Sequence, residues 1–241
     1  MNFDDALKAQ ETLRGVSLIT EVRESRWLSE LTGADVRLKC ENLQRTGSFK
    51  IRGAYTRISR LSDAERQRGV VAASAGNHAQ GVALAAQQLG SNATIFMPEG
   101  AALPKVQATL GYGASVKLVG SDLNEALAAA RDYELQTGSV FIHPYDHHDV
   151  VAGQGTVGLE IVEQFKAVDT ILVPLGGGGL AAGVCLLTER FEHIKIVGVQ
   201  ARAAAAWPEA LAAGHPVHAT LGRTMADGIS VSDPGVVPFE I

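Results

Sequence analysis

The sequence contains no apolar run long enough to cross a membrane. The longest such run, residues 171–187, is 17 residues long and is interrupted by Pro174 and five glycines, whereas a spanning helix needs about 20 apolar residues. We therefore expect a strand, a turn and a helix there. The first residues, MNFDDALKAQETLRG, are rich in acids and have no apolar core typical of a signal peptide. These features favour a cytoplasmic protein without a membrane partner.

Cysteine is scarce, and neither sign of charge dominates. Cys40 and Cys185 are the 2 cysteines among 241 residues and show no CxxC spacing, so we expect two buried thiols in a reducing compartment. The formal net charge of -5 leaves no basic stripe for nucleic acid and no acidic tail. The hydrophobic content of 46% is enough for one large core or two smaller ones.

Short β-branched runs alternate with helical patterns along most of the chain. The strand candidates are 35–41, 70–74, 93–97, 115–119, 139–143, 170–175 and 195–200. From the second onward their starts lie 23, 22, 24, 31 and 25 residues apart, which leaves room for a helix and two turns each time and predicts a parallel α/β sheet. A helix is expected over 77–90, and another after Asp122, which resembles a capping box with Glu125 and ends at Gly138.

Four glycines follow the sixth strand candidate. Gly176, Gly177, Gly178 and Gly179 precede Leu180 and a helical pattern. Without side chains their backbone N–H groups can turn inward, and the helix that follows adds positive potential, so the segment predicts a phosphate cradle rather than a flexible turn. No Gly-Lys-Ser/Thr follows, so the run is not a P-loop, and it lacks a GxGxxG dinucleotide setting.

A second turn of this kind contains Ser74, Ala75, Gly76, Asn77 and His78. The carboxyl ends of parallel strands share one edge of a sheet, so these polar groups can face the same crevice as the glycines. The start of the following helix favours a carboxylate. The alternative is that Asn77 only caps its helix and that His78 is a satisfied or solvated histidine.

Lys50 lies next to Phe49 within TGSFKIRGA, ahead of another helix. Burial lowers the pKa of a lysine and frees its lone pair for Schiff-base chemistry, although most lysines are solvent-facing charges. A phosphate cradle, an anion-binding helix start and a nucleophilic lysine are together what a pyridoxal 5′-phosphate site requires.

Together these segments resemble the threonine dehydratase (threonine ammonia-lyase) family of fold-type II, tryptophan-synthase-β-like pyridoxal-phosphate enzymes. The matching stretches are KCENLQRTGSFKIRGA (39–54), ASAGNHAQGVA (73–83), MPEGAALPKVQATLGYGASV (97–116), VAGQGTVGLEI (151–161), VPLGGGGLAAG (173–183) and ADGISV (226–231). The resemblance implies a two-lobed α/β fold with parallel-rich sheets flanked by helices, its C-terminal part missing. The small domain would be 67–145 and the large domain 1–66 with 146–241, in a homo-oligomer (dimer or tetramer).

The resemblance also implies a role for each site residue. Lys50 would hold the cofactor as a Schiff base and move the substrate's Cα proton, with Phe49 beside the ring and Asn77 on the phenolic oxygen. The phosphate would be held by backbone groups of Gly176, Gly177, Gly178, Gly179 and Leu180. The pocket for the substrate carboxylate would be formed by Ser74, Ala75, Gly76 and His78.

The implied reaction is the dehydration and deamination of a small hydroxy amino acid. L-Threonine would give 2-oxobutanoate and ammonia, and L-serine would give pyruvate. Ala75 stands where related serine racemases place a serine that protonates the opposite face of Cα, which favours elimination. Racemase-like members also carry acidic metal ligands after the last strand candidate, whereas QARAAAA at 200–206 has no carboxylate, so no metal is expected. His147 and His148 are expected in a solvated loop.

Two other functions remain open at this point. One is a serine racemase-like or β-replacement enzyme of the same fold, although the β-replacement families surround their lysine differently from TGSFKIRGA. The other is a truncated, non-catalytic ligand-binding form, because no residue of this chain can be assigned as the family's partner for the pyridine nitrogen.

Overall fold

The computed structural model describes all 241 residues. Its strands are β1 (Val22–Glu24), β2 (Arg37–Lys39), β3 (Val70–Ala73), β4 (Ala93–Met97), β5 (Ser115–Leu118), β6 (Val140–Phe141), β7 (Thr170–Pro174) and β8 (Lys195–Val199). Its helices are α1 (Phe3–Thr12), α2 (Arg26–Thr32), α3 (Lys50–Ser59), α4 (Asp63–Arg68), α5 (Asn77–Gln88), α6 (Leu103–Gly111), α7 (Leu123–Thr137), α8 (His148–Gln164), α9 (Gly179–Cys185), α10 (Trp207–Ala213) and α11 (Val236–Phe239).

Four strands form a parallel sheet in the order β5-β4-β3-β6. Every residue of β3 is buried, as expected for a parallel strand covered on both faces. The largest buried apolar cluster of the chain contains residues of β3 together with Ile51 of α3, Val82 of α5 and Ile95 of β4. The seven strand candidates are all present, shortened by up to four residues, and the expectation of parallel pairing is confirmed for β3 to β8.

The remaining strands form two small sheets. Strands β7 and β8 pair in parallel, while β1 and β2 pair antiparallel. The sequence analysis missed β1, because its three residues are mostly exposed and show no apolar alternation. Pairing with β2, and not burial, makes this segment a strand.

Helix α8 lies at the centre of the rest of the molecule, and its residues 150–162 are all buried. Its glycines let other helices approach to backbone contact: a Cβ on Gly153 would lie 2.5 Å from the carbonyl oxygen of Arg52, and one on Gly183 would lie 2.5 Å from the amide nitrogen of Gly155. Helices α3 and α9 are thus both packed against α8. Lys50 is the first residue of α3, and Gly179 is the first residue of α9. Helix α8 therefore sets the position of Lys50 relative to the glycine run.

A buried ionic network joins α3 to α8. The guanidinium of Arg52, with 0% exposure, donates to Glu41 at 2.8 Å and to Glu160 at 2.6 Å. Glu160 also accepts from the amine of Lys39 at 2.5 Å. Two cations therefore face two carboxylates, which satisfies the requirement that buried charges be paired.

Two local expectations are wrong. His147 and His148 do not lie in a loop: His147 is the N-cap of α8, and its Nδ1 accepts from the Asp149 amide at 3.1 Å. Cys40 and Cys185 are free thiols but are partly exposed, not buried.

No helix of the chain combines the length and apolar character needed to cross a membrane.

The expected capping of α7 is confirmed in part. Asp122 accepts from the amides of Asn124 and Glu125 at 2.8 and 3.0 Å, and Gly138 ends the helix in the left-handed conformation with φ 69°. The Glu125 carboxylate, however, accepts from the amide of Ser121 at 2.6 Å instead of that of Asp122. The reciprocal half of the capping box is thus displaced by one residue.

Candidate active site

A cavity of about 580 Å³ opens at the carboxyl edge of the four-stranded sheet. One wall is the turn between β3 and α5, and the other comprises the turn between β7 and α9 and the segment 227–233. All twelve site residues proposed from the sequence line it: Phe49, Lys50, Ser74, Ala75, Gly76, Asn77, His78, Gly176, Gly177, Gly178, Gly179 and Leu180. The structure therefore brings the three segments together, while the individual roles stay predictions.

Lys50 is the first residue of α3 and faces this cavity. Its Nζ donates to the carbonyl of Pro144 at 2.9 Å and lies 5.3 Å from the centre of the Phe49 ring. Burial lowers the pKa of Lys50 to about 8, since no carboxylate pairs with the amine. Helix α5 reaches the lysine backbone at Gly81, where a Cβ would lie 3.0 Å from the Lys50 carbonyl carbon. The amine is thus held in place and loses its proton more easily than an exposed lysine does.

The turn between β3 and α5 leaves Asn77 free for a ligand. The N-cap of α5 is Gly76, and no side chain caps the helix, so the interpretation of Asn77 as a cap is wrong. The Asn77 side chain makes no hydrogen bond within the chain and is exposed at the cavity. Ser74 braces the turn, because its hydroxyl accepts from the Gly76 amide at 3.2 Å.

His78 is a satisfied histidine. Its Nε2 donates to the Ile142 carbonyl at 2.8 Å, and burial, followed by the charge of Lys50, lowers the pKa of His78 to about 3. The ring is therefore neutral, with its proton committed to the backbone. The group that His78 can offer to an anion is its amide in the first turn of α5.

The glycine run presents unpaired donors. The amides of Gly176, Gly177 and Gly178 donate no hydrogen bond within the chain. The amides of Gly179 and Leu180 open α9, where helix geometry leaves the first donors without intrahelical partners. Two carbonyls of the run accept hydrogen bonds from the rest of the chain. The Gly176 carbonyl accepts from the indole of Trp207 at 2.7 Å, and the Gly177 carbonyl accepts from the amide of Gly235 at 2.9 Å.

Close packing, and not flexibility, explains why these positions are glycine. A Cβ on Gly177 would lie 2.5 Å from three ring atoms of Tyr145, and one on Gly178 would lie 2.4 Å from the ring of Trp207. Gly178 also has φ +102°, a conformation that L side chains rarely adopt. The alternative of a plain flexible turn is therefore wrong.

Sequence reasoning missed several residues of the site. Tyr145 covers the glycine run and donates its hydroxyl to the Asp233 carbonyl at 2.9 Å, and burial raises the pKa of Tyr145 to about 12. His143 and the segment 227–233 also line the cavity. In the segment HPYDHHD (143–149) the sequence drew attention only to His147 and His148, and ADGISV (226–231) only carried the family resemblance. The position of HPYDHHD at the carboxyl end of a strand was the signal that could have identified it.

The residues present fit pyridoxal phosphate. The cofactor requires an amine for a Schiff base and donors for a phosphate. Lys50 supplies an amine with a pKa of about 8. The unpaired amides of the glycine run supply donors of the type that bind phosphate at helix starts. Both groups line one cavity.

Comparison with known proteins gives the same result. A family model described as "Pyridoxal-phosphate dependent enzyme" matches residues 15–241. The chain is 48% identical over 242 aligned positions to an L-threonine ammonia-lyase of Thermotoga maritima, covering 100% of this chain and 60% of the relative. It is 44% identical to the catabolic L-threonine dehydratase of Escherichia coli K12, covering 99% of this chain and 73% of the relative.

Solved structures with the same fold include a threonine deaminase and a serine racemase. The processed form of threonine deaminase isoform 2 from Solanum lycopersicum superposes with TM-score 0.91 at 36% identity, covering 98% of this chain and 71% of that one. Maize serine racemase superposes with TM-score 0.95 at 34% identity, covering 99% and 73%. The family match, the identity to curated relatives and the cavity together lead to one conclusion: the chain belongs to the family of pyridoxal-phosphate dependent enzymes.

Proposed function

We propose that this chain carries the cofactor and substrate site of an L-threonine ammonia-lyase, which converts L-threonine to 2-oxobutanoate and ammonia, with L-serine as a second substrate. The observation that carries the proposal is the convergence of the Lys50 amine and the unpaired amides of the glycine run in one cavity. The 48% and 44% identities to an L-threonine ammonia-lyase and an L-threonine dehydratase support the choice of substrate.

Each wall of the cavity has a defined task. When bound, pyridoxal phosphate would withdraw electrons from the amino-acid substrate and make its Cα proton acidic. Lys50 takes that proton at its Nζ, because an amine with a pKa of about 8 is partly deprotonated near neutrality. The amides of residues 176–180 would hold the phosphate, and the Asn77 side chain, which lines the same cavity, would hydrogen-bond the cofactor ring oxygen.

The cavity wall favours elimination over racemisation. Racemisation requires a proton donor on the face of Cα opposite Lys50. Ala75, on the wall formed by the β3–α5 turn, has a methyl group that cannot donate one. The similarity in fold to a serine racemase does not decide this point, because the fold is shared by both kinds of enzyme.

The test uses the purified chain with added pyridoxal phosphate. We expect a yellow protein, borohydride reduction that labels Lys50, and release of a 2-oxo acid from L-threonine at a higher kcat/KM than from L-serine. Lys50→Ala should reduce turnover below about a thousandth of wild type. Lys166→Ala, at an exposed lysine outside the cavity, should behave as wild type.

Three results would contradict the proposal. A colourless protein at saturating pyridoxal phosphate would mean that the chain is not a functional cofactor site. Formation of D-serine from L-serine without 2-oxo acid would favour the racemase alternative. Turnover retained by Lys50→Ala would remove Lys50 from the chemistry. We also propose a cytoplasmic location and a dimeric or tetrameric assembly, which rest on the sequence expectations alone.

A further inference from the structure

His143 is a cavity residue to which the proposed reaction assigns no role. It follows β6 and lines the same cavity as Lys50 and Asn77. Its ring packs edge-on against Tyr145, with centroids 4.7 Å apart. Pro144, which follows His143, accepts a hydrogen bond from the Lys50 amine at its carbonyl. Tyr145, one residue further on, covers the glycine run. His143 therefore belongs to the wall that connects Lys50 to the glycine run.

The chain determines which nitrogen of His143 carries the proton. Nδ1 accepts from the amide of Asp146 at 2.8 Å and from that of Tyr145 at 3.3 Å. A nitrogen that accepts from two N–H groups cannot carry hydrogen, so the neutral ring must be protonated at Nε2. Burial lowers the pKa of His143 to about 4, which keeps the ring uncharged near neutral pH.

The Nε2–H group of His143 has no partner in the chain. It makes no hydrogen bond, and it is not among the enclosed, unpartnered side-chain atoms, which are Thr46 Oγ1 and Arg57 Nε. The nitrogen is therefore accessible. Its ring is held by two backbone donors at Nδ1 and by the edge-on contact with the Tyr145 ring, so the free donor is held in a fixed orientation.

We propose that His143 is a ligand-binding residue of this site, whose Nε2–H donates a hydrogen bond to an oxyanion of the molecule bound at Lys50. The oxyanion is either the cofactor's phosphate or the carboxylate of the amino acid, which share the same chemistry. An uncharged, oriented donor suits this task, because it binds an oxygen without adding a second cation beside the Lys50 amine and opposing its protonation. The inference rests on the proposed function.

Two amide substitutions separate the two nitrogens. In His143→Asn the side-chain oxygen can replace Nδ1 and keep the bonds to the Tyr145 and Asp146 amides, but the donor at Nε2 is lost. In His143→Gln the amide nitrogen can reach the Nε2 position, but the Nδ1 acceptor is lost. If His143 binds a ligand, Gln should retain more affinity than Asn. If it only braces the 145–146 turn, the order should be reversed.

The measurements are equilibrium titrations of the full chain with pyridoxal phosphate, and of the loaded chain with L-alanine, which has the carboxylate but no β-hydroxyl to eliminate. Thermal unfolding of each variant without ligand reports on bracing. We expect the Asn variant to bind one of the two ligands roughly tenfold or more weakly, as for loss of a hydrogen bond to a charged group, with melting close to that of wild type.

The ligand whose affinity falls in His143→Asn identifies the oxyanion. A lower affinity for pyridoxal phosphate assigns the phosphate. A lower affinity for L-alanine, with unchanged affinity for the cofactor, assigns the carboxylate. Unchanged affinity for both ligands in His143→Asn would overturn the inference while leaving the proposed function intact. A wild-type chain that binds no pyridoxal phosphate would overturn both.

Discussion

Lys50 and His78 are two basic side chains of the cavity wall whose pKa values are both lowered by burial, to about 8 and about 3. The charge of Lys50 further lowers the pKa of His78. At neutral pH the site thus has one amine close to its titration point and a neutral imidazole near it. The Lys50 amine is therefore available as a base, and the neutral His78 adds no second positive charge beside it.

His78 should make the protein sensitive to acid. Its pKa is about 3 in the folded protein and about 6.5 when unfolded. Below pH 6.5 the unfolded chain therefore binds a proton that the folded chain does not, and stability present above pH 6.5 is lost as the pH falls towards 3. His78→Gln can keep the bond to the Ile142 carbonyl and cannot titrate, so its unfolding free energy should fall less over this range.

Urea unfolding at a series of pH values measures this difference. His193→Gln, at an exposed histidine, is the matched control and should follow the wild-type curve. If the wild type and His78→Gln lose stability in parallel between pH 6.5 and 3, then His78 does not stay neutral in the folded protein.

At the scale of elements, the site depends on how three helices meet. Helix α8 is packed against α3 through Gly53 and Gly153 and against α9 through Gly155 and Gly183. Because Lys50 begins α3 and Gly179 begins α9, these glycine contacts set the separation of the amine from the phosphate-binding amides. The buried pairs of Arg52 with Glu41 and Glu160 reinforce the contact of α3.

Substitution of Gly153 by alanine should damage both the fold and the site. The new Cβ would lie 2.5 to 2.8 Å from backbone atoms of Arg52 and Gly53, which cannot move without shifting α3. We expect destabilisation of about 1–3 kcal/mol, as for overpacked cores, together with weaker pyridoxal phosphate binding, since Lys50 moves with α3. Chemical denaturation and a cofactor titration measure the two effects.

Gly111→Ala is the control for this prediction. Gly111 is a helical glycine of α6, and a Cβ there would have nothing within 4 Å, so alanine should stabilise by about 0.5–1 kcal/mol. Equal changes in unfolding free energy and in cofactor affinity at the two positions would show that the close contact between α3 and α8 does not determine stability or cofactor binding.

At the scale of the whole molecule, the cavity lies between elements far apart in sequence. Residues 74–78 follow β3 of the four-stranded sheet, whereas residues 176–180 follow β7 and residues 227–233 come from near the end of the chain. Lys105 of α6 and Asp227, which both line the cavity, approach to 4.0 Å. A ligand that contacts both walls of the cavity should hold them together.

Hydrogen–deuterium exchange tests this arrangement. Addition of pyridoxal phosphate should slow exchange of the amides at 74–78 and at 176–180 together, while amides of α2, which does not line the cavity, should be unaffected. In Lys50→Ala the protection at both segments should be weaker at the same cofactor concentration. Protection confined to one of the two segments would mean that the ligand does not bridge the cavity.

Much of this protein could be predicted from its sequence. The spacing of β-branched runs predicted β3 to β8, because parallel strands covered by helices must be apolar and must be separated by a crossover. The glycine run and the Ser74–His78 turn could be proposed as one site because the end of a parallel strand is where such sheets bind ligands. Lys50 was added to that site by the chemistry that pyridoxal phosphate requires and by the family resemblance. These conclusions depend on local pattern, which the sequence contains directly.

Other features were decided only by the tertiary structure. The strand β1 exists through its pairing with β2, and the glycines of α8 are required by contacts with Arg52, Gly53 and Gly183, residues that lie up to about a hundred positions away. His147 became a cap, His78 a satisfied histidine and His143 a free donor because of backbone groups that neighbour them in space. Sequence pattern determines which elements form, whereas the partners of each polar group depend on which backbone atoms the packing brings within hydrogen-bonding distance.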